Sequence, residues 1–169
     1  MTGLDVDQNR ILEVAVEVSD MQLRVLETYE AVIHQPKGVL DGMGDWARQQ
    51  HAKSGLTQRV QAEGRPEAEV QAELVSLIRR HFDEPAVVAG NSIHRDRMFI
   101  AHWWPQVEQL LHYRMLDVSS FKVLMQGMYG LSFTKSENHR ALDDIRESIA
   151  ELQYYLEWLS GDRKKPEAG

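Results

Sequence analysis

The 169-residue chain has no cysteine. Disulfides, thiolate metal ligands and thiol nucleophiles are excluded together, so any metal must sit on oxygen or imidazole. Such a composition suits a reducing compartment. Long apolar runs are missing as well. No stretch approaches the roughly 18 residues a spanning helix needs, and the first residues carry no basic, apolar signal segment. The expectation is a cytoplasmic protein with no membrane partner. Basic charge is also in deficit: a formal net charge of −7 leaves no broad basic face to grip long nucleic acid through many phosphates. A short nucleotide or a metal-bridged phosphate stays open.

What is present is an ordinary core-forming composition, 43% hydrophobic, enough for one domain. Residues 11 to 18, "ILEVAVEV", alternate: Leu12, Val14, Val16 and Val18 share one face, Glu13 and Glu17 the other, the period-2 mark of a half-covered strand. A turn at "SDMQ" leads to a second strand through Val32 and Ile33, forming a hairpin. Residues 36 to 65 read as loop and short helix. Pro66 then opens a helix whose apolar positions Val70, Leu74, Leu77, Ile78 and Phe82 recur at helical spacing, with Pro85 as the stop. "AVVAGN" is a short apolar strand. After it come a helix around Asp96 to Ile100, another opened by Pro105, a strand near "RMLDV", a helix from Ser119 and a long closing helix. This order indicates an α/β sheet with helices on its faces. Trp103 and Trp104 are read as core or interface residues.

The closing helix, "HRALDDIRESIAELQYYLEWL", carries an apolar stripe at Leu142, Ile145, Ile149, Leu152, Leu156 and Leu159. At about 100° per residue, Asp144 lies roughly 110° from that stripe and Asp143 roughly 150°, so Asp144 is placed at the rim and Asp143 in water. Two readings of these acids remain open: carboxylates that favour a helix N-terminus, or oxygen ligands for a hard divalent cation. Asp96 in "GNSIHRDRMFI" follows an apolar strand, at a strand-to-helix junction where sites in open α/β sheets form.

Taken together, "MTGLD" at residues 1 to 5, "GNSIHRD", "HYRMLDVSS" and "HRALDDIRESIAEL" resemble the oligoribonucleases, metal-dependent 3′-to-5′ exonucleases with an Asp-Glu-Asp-Asp set plus a histidine. The resemblance implies a ribonuclease H-like exonuclease fold with a mixed central sheet flanked by helices. It also implies a single exonuclease domain over residues 1–160, with a charged tail at 161–169. Two Mg²⁺ or Mn²⁺ ions would flank a scissile phosphate. By position Asp96 and Asp144 match the third and fourth carboxylates, and His139 the general base. Trp46 and His51 match the substrate-holding region, Trp46 as a stacking face and Leu4 as an apolar wedge on the other base. Ser92, Arg114 and Ser119 resemble a polar cap on the 5′ phosphate of a very short substrate, a role that suits a bidentate guanidinium. Tyr113 matches a tyrosine that reaches the neighbouring subunit's site in a homodimer. The implied partner is short single-stranded RNA, chiefly dinucleotides.

Two departures stand out. In the family the first two carboxylates occupy an Asp-x-Glu strand directly ahead of "MTGLD", and this sequence begins at Met1. The expectation is that Met1 is an internal methionine, that a chain lacking this strand has a split sheet, and that it is inactive. The second departure is the segment before His139, which is shorter than the family's and lacks its basic-aromatic stretch. Three functions are therefore weighed: an active exonuclease on two- to five-residue RNAs, a relative that binds such RNAs without cleaving them, and a structural α/β interaction subunit.

Overall fold

Alternating valines build the first element as expected. In the computed structural model, which describes residues 1–134 and 141–161, β1 (Glu13–Ser19) pairs antiparallel with β2 (Val25–Val32). The register runs from Glu13 opposite Val32 to Val18 opposite Glu27, with a bulge at Val18/Ser19. Asp20 holds the turn, its Oδ1 accepting the backbone N–H groups of Gln22 at 2.9 Å and Arg24 at 3.0 Å.

Both faces of this hairpin are covered, which differs from the half-covered strand that the alternation predicts. One face, with Val18, Ala31 and Ile33, joins the main core beneath α4 (Glu67–His81), α5 (His94–Trp103) and α6 (Pro105–Glu108). On the other face Glu13 pairs with Arg59 at 2.9 Å and Glu17 with Arg146 at 3.1 Å. The Glu17 side chain is 3% exposed. Ion pairing from distant elements buries these glutamates, and strand alternation cannot reveal partners that lie far along the chain.

The region read as loop and short helix is largely helical: α1 (Lys37–Asp41), α2 (Asp45–Lys53) and α3 (Leu56–Ala62). Leu40, Met43, Leu56 and Val60 pack there with Leu12 and Val32 in a core of their own. Each helix buries only one or two positions, so no sustained period appears in the sequence. Gly64 lets this layer close, because a Cβ there would stand 2.6 Å from the His34 Cα.

β3 (Ala86–Gly90) pairs in parallel with β4 (Leu111–Asp117), the crossover passing through α5 and α6. The fold is α/β, with antiparallel and parallel pairing both present. Among the described residues the two pairs form separate two-stranded sheets. Two further helices follow: α7 (Val118–Tyr129) and α8 (Ala141–Ser160), the second packing against both β1 and β3. Trp104 is buried and donates to Glu67 Oε1 at 2.8 Å. Trp103 lies under the Arg10 guanidinium and donates to the Val6 carbonyl. Both tryptophans serve the core, as expected. No helix among the described residues is long and apolar enough to cross a membrane.

The buried face of α8 is rotated from the stripe read in the sequence. Ser148, Glu151, Leu152 and Tyr155 are buried, whereas Leu156 and Leu159 are exposed. Polar residues take the inner face because they satisfy one another there: the Tyr155 hydroxyl donates to Glu151 Oε1 at 3.0 Å.

Leu77, in the main core, is expected on truncation to alanine to lose about 2–5 kcal/mol of stability. Met21→Ala, at the exposed hairpin tip, should stay within about 0.5 kcal/mol of wild type. Urea midpoints at fixed slope compare the two.

Candidate active site

The site is built at the ends of β3 and β4 and on the first turns of the helices that follow them. Gly90 pairs with Asp117, so the turn after β3 and the start of α7 lie side by side. Asp117 caps α7. Its Oδ1 accepts the Ser119 N–H at 2.9 Å and the Ser92 N–H at 3.0 Å. Ser92 takes a left-handed conformation, φ 51°, and its N–H also reaches Ser119 Oγ at 2.9 Å. The two hydroxyls consequently stand 3.3 Å apart. Ser92 and Ser119, 27 positions apart in sequence, are thus brought together. His94 adds an imidazole to this cluster, its Nδ1 3.6 Å from Asp117 Oδ2.

Asp96 follows on the first turn of α5. Burial raises its carboxyl above the ordinary carboxylate value, while its own backbone N–H, the Met1 amine and His94 oppose the shift. A second cluster faces it from the N-terminal segment and α2. His51 Nε2 lies 2.8 Å from the Met1 carbonyl oxygen, which ties α2 to the first residues. Burial holds the His51 imidazole below its usual value, favouring the neutral ring. The Met1 amine is also lowered by burial, against the pull of Asp96 and Glu13. Trp46, on the same helix as His51, is 73% exposed, and Leu4 is exposed on the neighbouring loop. Both present apolar surface to solvent.

Asp144 sits on the first turn of α8 and is exposed; Asp143 is half-buried. This reverses the burial order read from the apolar stripe. With the inner face centred on Ser148, Glu151 and Tyr155, Asp144 continues that face N-terminally, seven residues and about 20° from Glu151. Tyr113 and Arg114, on β4, are exposed and stack on each other, the guanidinium 5.0 Å from the ring centre. His139 lies outside the described residues, as do positions 135–138, 140 and 162–169.

The donors available to a metal are carboxylate oxygens. Among the described residues no group of three or more His, Asp or Glu is close enough to hold an ion. Asp96 and Asp144 would each offer oxygen donors of the kind a hard divalent cation takes, and Asp96 is a desolvated carboxyl. Sequence reasoning missed Asp117, Asn91 and Glu151. Asp117 had a signal, an acidic residue immediately ahead of a helix start and two before a serine. Glu151 had none, since a glutamate in mid-helix ordinarily faces water.

A strained serine turn beside a desolvated carboxylate, at the carboxyl ends of parallel strands, is the mark of an α/β enzyme site. The sequence pattern of the family described as "Exonuclease" matches residues 1–152, and the chain belongs to it. Within that family it is a member of the oligoribonucleases. Proteins of that name from Chromobacterium violaceum and Halorhodospira halophila are 46% and 43% identical to it. The first alignment covers 93% of this chain and 90% of its relative, the second 92% and 87%. A third, from Francisella tularensis, is 41% identical over 94% of this chain and 91% of its own. The protein is accordingly a hydrolytic exoribonuclease.

A carboxyl raised by burial holds its proton more tightly in the folded chain, so folding stability falls as pH rises from the ordinary carboxylate value through the raised one. Asp96→Asn should therefore be more stable than wild type at pH 7 in metal-free buffer. The gain should vanish below about pH 4. Denaturation midpoints at the two pH values test this, and a gain that is the same at both contradicts it.

Proposed function

We propose that the chain removes nucleotides one at a time from the 3′ end of very short RNAs, chiefly dinucleotides. The observation that carries the reading is the Ser92–Ser119 hydroxyl pair, closed across 27 residues and one helical turn from the half-buried Asp96. Such a pair, with Arg114, suits a terminal 5′ phosphate, and closure there favours a substrate that ends rather than continues. Trp46 and Leu4 would hold the bases by stacking and wedging. His51 would line the same segment.

In this reading Asp96 and Asp144 would hold divalent cation, two Mg²⁺ or Mn²⁺ per site by the family resemblance, which supplies Lewis-acid polarisation of the phosphate when bound. His139 would accept the proton of the attacking water. Water oxygen bonds to phosphorus, the P–O3′ bond breaks, and the terminal residue leaves as a 5′-mononucleotide while the upstream sugar regains its 3′ hydroxyl. Tyr113 would complete the site of a second copy in a homodimer, in the cytoplasm.

Incubation with a 5′-phosphorylated diribonucleotide and Mn²⁺ is expected to release mononucleotides. Asp144→Ala and His139→Ala should each slow release by about 10²- to 10⁴-fold. Tight dinucleotide binding with no release would instead make the chain an oligonucleotide-binding relative. Neither binding nor release would leave the structural-subunit reading.

A further inference from the structure

Glu151 is a buried ionisable group that the proposed chemistry leaves unused. Its side chain is 0% exposed, on the inner face of α8. One carboxylate oxygen accepts from Tyr155 and the other from Asn91 Nδ2 at 2.9 Å. A carboxylate this deep is costly to keep unless donors meet it. Asn91 meets it at the expense of its own acceptor, for its Oδ1 is buried with no hydrogen-bond partner among the described residues while its amide nitrogen serves Glu151. The bond spans 60 positions and ties α8 to the turn between β3 and α5.

Both ends of this link carry functional side chains. On the turn, Asn91 directly precedes the strained Ser92, and Asp96 follows within α5. On α8, Asp144 lies two helical turns before Glu151, about 10 Å along the axis on nearly the same face. A shift of α8 along or about its axis relative to the turn would displace Asp144 relative to Asp96 and pull on Asn91, the residue directly before Ser92.

We propose that Glu151 is a positioning residue: through Asn91 it sets the register between the helix that bears Asp144 and the turn that bears Ser92 and Asp96. The assignment rests on the exonuclease reading for its consequence, though not for its geometry. Removal of the link should weaken capture of a 5′-phosphorylated end as well as slow turnover, because Ser92 and Asp144 are displaced together.

Reversing the donor and acceptor roles tests the pair. Asn91→Asp sets two carboxylates against each other. Adding Glu151→Gln restores one bond of each kind, since the new amide donates to the position 91 carboxylate while its oxygen still accepts from Tyr155. In Asn91→Asp, amide hydrogen exchange at residues 90–96 should quicken about tenfold and KM for a 5′-phosphorylated diribonucleotide should rise about tenfold, with exchange in α4 unchanged. The double variant should return both to within about threefold of wild type. Glu151→Gln alone, which carries no repulsion, should fall between them. Unchanged exchange at 90–96 in Asn91→Asp overturns the assignment, as does a double variant no nearer wild type than the single one. Hydrogen exchange needs no activity. An inactive wild type would sink the exonuclease reading while the register link was still decided.

Discussion

The structure depends on α8 lying across two strand pairs that share no ladder hydrogen bonds. A hairpin and a parallel pair, left to themselves, are marginal units with backbone edges open to solvent. The packing of α8 against β1 and β3 joins the two pairs through one helix. This helix is unusual in chemistry: it buries Glu151 and Ser148 as well as Leu152 and Tyr155, and its Arg146 pairs with the buried Glu17 of β1. Apolar contacts tolerate sliding, whereas a buried carboxylate with fixed donors does not. The polarity of the interface therefore favours one register over its neighbours.

The same logic runs through the site. Ser92 is held in a left-handed conformation that costs about 1–3 kcal/mol, and Asp96 is kept partly out of water although burial opposes its charge. Neither feature helps the chain to fold. Both are sustained by the rigid surroundings: the β3–β4 ladder, the Asp117 cap on α7 and the core beneath α5. A desolvated carboxyl gains from a cation that arrives later, so its cost in the free chain corresponds to affinity in the loaded one.

Much of this was legible in the residues themselves. The hairpin, the Pro66-led helix, "AVVAGN" and the closing helix stand where periodicity and proline place them. The motifs around Ser92, Asp96 and Asp144 were visible as long ordered strings. Other features were not legible. Glu13 and Glu17 read as a solvated strand face because Arg59 and Arg146, which cover them, lie 46 and 129 positions away. The helices between 37 and 62 read only as loop and short helix because each buries too few side chains to show a period. On α8 the buried face is rotated from the six-residue apolar stripe, whose last members Leu156 and Leu159 are exposed. The inner face there is chosen by hydrogen-bonding partners as well as by apolar area.

By itself, then, the sequence determined the α/β class, most of the element order and the membership of the exonuclease family. These depend on local periodicity, turn chemistry and contiguous motifs, all of which are written in neighbouring residues. Tertiary structure alone decided that two serines 27 positions apart stand together and that a mid-helix glutamate is bonded to the turn between β3 and α5. Each of these is a relation between distant segments. Its energy comes from desolvation and from donors supplied by another element, and neither quantity exists until the chain has folded.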